Sequence, residues 1–256
     1  MRTVRLLPVG IAVATALAVA RPAVSADMLP EIWAQAKTDA TALVTMDSPP
    51  SATELGLALA ALGVLAVEDE HLSTEGQRHL PGWLHRFNTA GEVGTANVAS
   101  AALVGGGLLL GERRGTIAGL TLFEGNVILD LVLNASKSAF GRARPNQAHA
   151  GDFRQGGDSF PSSHAAHAFM IAAVLDAMVD RPAWRWAFYP AASGVALARI
   201  EGGFHFPTDV AVGGLLGWWI GRRLSVAHDL VELPAHPQVS VVPVRGGAEL
   251  VAHYSW

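Results

Sequence analysis

The chain has 256 residues, half of them hydrophobic and 16% charged, with a formal net charge of −4 and no cysteine. That length can bury a full core in one domain, and the apolar fraction excludes a disordered polar chain. Disulfides, thiolate metal sites and cysteine nucleophiles are excluded, and an acidic body with no basic run argues against nucleic-acid binding.

Arg2 and Arg5 precede an apolar stretch at 9–20, and Val24-Ser25-Ala26 supplies small residues before Asp27. This pattern predicts a signal peptide over residues 1–26 and hence an exported protein. An uncleaved anchor is the alternative, although the stretch is short against the roughly 20 residues a crossing helix needs. Removing it takes away Arg2, Arg5 and Arg21 and no acid, so the remainder is more acidic still.

Residues 27–230 read as one helical domain. Apolar segments recur at 55–67, 98–110, 117–133, 165–179, 186–198 and 210–220. They are too long for typical strands and are separated by Gly, Pro or charge. Within 117–133, Glu124, Asn126 and Asp130 suit a solvated face better than lipid. Only residues 93–111 are uncharged for long enough to span, yet they include Thr95, Asn97 and three consecutive glycines. The expectation is a soluble or membrane-apposed bundle. An exported site near residue 137 requires an even number of crossings before it, zero included. Trp184, Trp186, Trp218 and Trp219 read as packing residues, with a membrane-facing belt as the alternative. In the tail, 231–256, β-type residues at 239–244 and 249–256 flank Arg245-Gly246-Gly247 and predict a small hairpin packed on the bundle.

Three stretches gather the polar residues: Lys137-Ser138-Ala139-Phe140-Gly141-Arg142-Ala143-Arg144-Pro145, Phe160-Pro161-Ser162-Ser163-His164, and Arg199 through Asp209. Lys137, Arg144 and Arg199 each close a helical segment, so three cations can converge on a phosphate dianion. Ser162 suits an N-cap, leaving the amides of Ser163 and His164 as an anion site. Pro207 suits a first helical turn, which puts His205 at the helix mouth with Asp209 four residues on. A carboxylate there can fix one imidazole nitrogen and leave the other to attack phosphorus. His164 can then protonate the leaving alkoxide and activate water. The cations take the role a metal plays elsewhere, so no metal or other cofactor is called for.

Together these stretches resemble the signature of the type 2 phosphatidic acid phosphatase (PAP2) superfamily, which includes bacterial class A acid phosphatases and vanadium haloperoxidases. Its pattern is K-x6-R-P, then P-S-G-H, then S-R-x5-H-x3-D. Lys137, Arg144 and Pro145 match the first, Pro161, Ser162 and His164 the second, and Arg199, His205 and Asp209 the third. Ser163 replaces the usual glycine and Ala198 the usual serine. The resemblance implies an all-α bundle of the PAP2 and haloperoxidase type, with His205 as nucleophile, Asp209 as its orienting partner and His164 as acid. It also implies phosphate contacts from Lys137, Arg144, Ser162, Ser163 and Arg199.

Singly, each feature has a plainer explanation: Lys137 and Arg144 as helix C-terminal cations, Ser162 as a cap, either histidine as structural. His164 and His167 share a helix face at metal-ligand spacing, but His167 reads as packing. Arg142 is either an inner cation or a solvated one, and Asp158 and Glu201 are neighbours without an assigned role. The expected function is a metal-independent phosphatase for phosphomonoesters or pyrophosphates, lipid or soluble, working through a phosphohistidine. It would act in the periplasm or at the outer face of the cytoplasmic membrane, with membrane-surface contact. A vanadate-dependent haloperoxidase and a silent phosphate-binding envelope protein are the alternatives.

Overall fold

In a computed structural model of the chain, the described residues are 38–39, 41–43, 52–179 and 181–230, with the backbone of 238–244 and 247–253. The expected signal peptide at 1–26 lies outside them. The chain divides into two units, and in the first, Met1–Met46, the described residues 38–39 and 41–43 are helical. The second unit, Asp47–Trp256, is an all-α bundle followed by a hairpin.

Its helices are α1 (Ala52–Val67), α2 (Asp69–His79), a 3-10 helix (Gly82–Gly91), α3 (Val93–Leu110), α4 (Arg113–Phe140), α5 (Ser163–Val179), α6 (Pro182–Glu201) and α7 (Pro207–Ala227). Each of the six apolar segments lies in a helix. The polar α2 and the 3-10 helix have no such run, and periodicity does not find them. β1 (Gln238–Val244) and β2 (Gly247–His253) pair antiparallel from Gln238↔His253 to Val244↔Gly247. The predicted packing of this hairpin depends on side chains outside the described residues.

The centre is α5, whose Ala165, Ala166, Met170, Ala173 and Val174 are buried against α4, α6 and α7. Two glycines of α7 let it lie directly on α5. A Cβ on Gly213 would stand 2.4 Å from the Ser162 carbonyl oxygen, and one on Gly217 would stand 1.8 Å from that of Ala166. Those contacts hold the start of α5 beside the start of α7. Gly141, in the left-handed region at φ 54°, stops α4 by donating its N–H to the Lys137 carbonyl.

α3 and α4 form a close hairpin through Gly111, with the Ser100 hydroxyl donating to the Gly119 carbonyl at 2.7 Å. Both helices are long and apolar enough to cross a membrane, and the apolar window of α3 is only 17% buried. Val98, Leu108, Leu109 and Leu110 face outward. The expected solvated face on α4 is not what forms. Asn126 is buried and donates to Asn97, Asp130 lies 3.4 Å from buried His167, and Glu124 lies 3.3 Å from His228. These polar groups turn into the bundle and find partners there, which removes the argument against a lipid-facing helix. The tryptophans correct a second expectation. Trp186 is 84% exposed, and Trp184 and Trp218 are exposed as well, so none of these three fills the core.

Candidate active site

Alternating helix directions bring four termini to one end of the bundle: the C-termini of α4 and α6 and the N-termini of α5 and α7. Lys137 occupies the last turn of α4 and Arg199 that of α6. Ser163 and His164 open α5, and His205 stands just ahead of α7. All three sequence stretches therefore meet here, and the groups feel one another's charge. Arg199, His205 and Lys137 act on His164, and Arg199 and Arg144 act on His205.

The loop between α4 and α5 completes the site. The N–H groups of Arg154, Gln155 and Gly157 donate back to Phe140 and Gly141, and Phe140, Phe153 and Phe160 pack edge to face. Gly157 lets this loop pass: a Cβ there would stand 2.1 Å from the Arg142 carbonyl oxygen. A cavity of about 600 Å³ opens beside Lys137, Asn134, Gly156 and Asp158.

Each of the three predicted cations is already held. Lys137 donates to the Ser163 hydroxyl at 2.7 Å. Arg144 grips Asp158 with two bonds of 2.8 Å, the fork geometry a phosphate would take. Arg199 donates to Asn88 at 3.0 Å and lies over the Phe204 ring, while its buried Nε has no partner among the described residues. Ser162 caps α5: its hydroxyl is 3.5 Å from the Ala165 amide, and its own N–H goes to the Asp209 carbonyl. The first-turn N–H groups of Ser163 and His164 have no intrahelical acceptor.

His205 is buried, and its main-chain N–H donates to the Arg199 carbonyl. Its Nδ1 stands 2.7 Å from the Ser159 carbonyl oxygen and 3.7 Å from Asp209. A carbonyl can only accept, so Nδ1 carries the proton and Nε2 keeps the lone pair. The orienting hydrogen bond expected from Asp209 is thus made by the main chain of Ser159, and the Asp209 carboxylate, 3.7 Å away, pairs with the imidazole only when that ring is charged. The reason lies in the carboxylate's other duties. It accepts from the Ser159 hydroxyl at 2.6 Å, the Phe206 N–H at 2.9 Å and Arg142 at 2.8 Å.

Burial pushes the His205 imidazole below its ordinary value despite the pull of Asp209. His164 is held at about 3, first by burial and then by the charges of Arg199, His205, His167 and Lys137. Burial opposes ionisation of Asp158, but Arg144 wins and holds that carboxyl below its ordinary value. The ring nitrogens of His167 are directed at the Ser163 carbonyl and at Asp130, so it does not pair with His164 as a ligand.

Sequence reasoning passed over Ser159 and Asp69 and left Arg142 undecided. Arg142 is buried, bonded to Asp69 and Asp209, and faces the Phe206 ring at 4.2 Å. A buried arginine offers no periodic signal, and its partner Asp69 is 73 residues away.

Residues 118–230 match the PAP2 superfamily model. A bacitracin transport permease protein, BcrC, of Bacillus licheniformis is 32% identical over 95 residues, 34% of this chain and 46% of that one. A lipid A 1-phosphatase of Rhizobium etli is 30% identical over 118 residues, 43% of this chain and 50% of that one. The aligned region spans about half the length of these curated relatives. The crystal structure of Aquifex aeolicus LpxE superposes with a TM-score of 0.49 and 22% identity, over 62% of this chain and 94% of that one. All three motifs lie within residues 118–230, the stretch that matches the PAP2 superfamily model.

Proposed function

We propose that this chain is a phosphatase acting on lipid-borne phosphomonoesters or pyrophosphates through a phosphohistidine at His205. The observation that carries the reading is the pairing of an oriented imidazole with an incomplete cation. His205 has Nδ1 committed to Ser159, and Arg199 beside it keeps a buried, unpartnered N–H that a phosphate oxygen would satisfy.

In the first step Nε2 bonds to phosphorus as the bond from phosphorus to the leaving oxygen breaks, and a proton from His164 neutralises that oxygen. Arg199, Arg144, Lys137 and the amides opening α5 stabilise charge on the non-bridging oxygens. Water, deprotonated by His164, then cleaves the phosphorus–nitrogen bond and releases inorganic phosphate. His164 is neutral in the empty site at pH 7. Its acid role therefore requires the arriving anion to offset the charges of Arg199 and Lys137 and bring a proton with it.

The lipid assignment rests on the outer surface. The α3–α4 hairpin crosses the bilayer, its turn at Gly111 and Glu112 on the face opposite the site. Arg113, Arg114, Arg181, Arg185, Arg222 and Arg223 lie toward that far end, which suits the cytoplasmic side, with Trp184 and Trp186 as interfacial anchors. The site then faces the exported side, and residues 27–230 are the catalytic domain behind a signal at 1–26. The names of the lipid A 1-phosphatase relatives support a lipid phosphate as substrate.

The test is phosphate release from phosphatidate, an isoprenoid pyrophosphate and p-nitrophenyl phosphate by the detergent-solubilised chain. Folded His205→Ala should lose at least about three orders of magnitude in turnover, together with the acid-labile phosphoenzyme seen on quenching. Retained turnover in that variant overturns the nucleophile. No release from any of the three substrates overturns the function.

A further inference from the structure

We propose that Asp69, which lies outside the three motifs and outside the matched domain, is a positioning residue that sets the charge Asp209 presents to His205. The inference rests on the phosphotransfer reading above. Asp69 opens α2 and is 2% exposed. One of its oxygens accepts from Arg142 Nη2 at 2.9 Å and from the Thr208 hydroxyl, and the other accepts the Thr208 N–H at 2.9 Å.

Arg142 is thereby shared. Its Nη1 donates to Asp209 at 2.8 Å and to the Thr208 hydroxyl at 2.9 Å, and its Nε donates to the Gly151 carbonyl. Phe206 and Phe153 stand 4.2 and 5.1 Å from the guanidinium, fixing its plane. One arginine between two buried carboxylates leaves one negative charge uncompensated within the cluster. An uncompensated buried charge is costly unless a partner meets it. The imidazole 3.7 Å from Asp209 is that partner, because it gains positive charge as Nε2 bonds to phosphorus. Without the Asp69 charge, Arg142 would belong to Asp209 alone and the cluster would be neutral when the imidazole charges.

The other groups facing His205 are Arg199 from α6, His164 from α5, and Arg144 and Asp158 from the loop. Among the described residues none of these hydrogen-bonds to Asp69, so its effect runs through Arg142 and Asp209. A purely structural role would be different: Asp69 also caps the first turn of α7 through the Thr208 N–H. Asn keeps that acceptor and removes the charge. Glu keeps the charge.

The experiment uses the full chain in detergent, with Asp69→Asn and Asp69→Glu. Asp69→Asn should lower kcat by about tenfold or more while KM for p-nitrophenyl phosphate stays within about twofold. His205 should lose its proton at a pH lower by about half a unit or more in a nitrogen-15 NMR titration, because its cation has lost a counter-charge. The acid limb of kcat/KM moves the same way, since the neutral nucleophile then persists to lower pH. Asp69→Glu should recover part of both. An unchanged His205 titration in a folded Asp69→Asn protein overturns the proposal, as does a loss of kcat that Glu fails to restore. If the unaltered protein releases no phosphate, the function above fails, while the His205 titration still decides the Asp69 coupling.

Discussion

The two ends of the bundle both collect arginine, and they use it differently. At the site end, Lys137, Arg144 and Arg199 converge closely enough that each feels at least one of the others, and each leans on a side chain of the protein. At the far end, the arginines sit at separate helix termini. Arg114 donates to the carbonyls of Ala177, Met178 and Leu230, and Arg185 pairs with Asp176. Convergent cations repel one another, and an anion between them would relieve that repulsion. Dispersed cations can each find a carbonyl, an acid or water and call for no shared anion.

The largest expected difference between the ends follows from Arg199. It is buried, and its side chain cannot be replaced by water as an exposed arginine's can. Arg199→Ala should cut kcat/KM by about 100-fold or more, with a comparable loss of orthovanadate binding. Vanadate affinity unchanged in that variant would remove Arg199 from the anion cradle.

The same convergence predicts a coupled titration. His164 stands at about 3 in the empty site, with burial as the first cause and neighbouring cations next. A bound anion offsets the cations, though not the burial. NMR titration with saturating vanadate should therefore move His164 upward, in the direction of its ordinary 6.5. A downward or absent shift would deny it the role of proton donor at neutral pH.

How far the sequence foretold this end depends on the kind of residue. Lys137, Arg144, His164, Arg199 and His205 lie in short stretches with fixed spacing, and helix termini near glycine and proline deliver them to one place. The all-α fold was equally readable, because the apolar runs outlast strand length. What escaped has no local mark. Asp69 sits in a polar helix and meets Arg142 only across the fold, and Ser159 acts through a main-chain carbonyl that any residue would offer. The inward turn of Asn126 and Asp130 escaped for the same reason: a polar residue in an apolar run reads alike whether it faces water or a buried partner.

A smaller effect is expected at Asp158, whose carboxylate fills the fork of Arg144 as a phosphate would. With this competitor neutralised, Asp158→Asn should tighten inhibition by inorganic phosphate by about three- to tenfold. Weaker inhibition would instead make Asp158 the brace that aims Arg144.

The far end should leave chemistry almost untouched and govern orientation. Because the chain has no cysteine, single labels can be introduced cleanly. Glu112 lies in the α3–α4 turn and Gln155 in the loop beside the site, both exposed. Glu112→Cys should keep turnover within about twofold in detergent, since it lies a full helix, about 42 Å of α4, from the end that carries Lys137 and His205. In intact cells a membrane-impermeant maleimide should reach Gln155→Cys and spare Glu112→Cys until the membrane is opened. Equal labelling of both positions would mean that the hairpin does not cross, and the outward leucines of α3 would then need a protein partner rather than lipid to cover them.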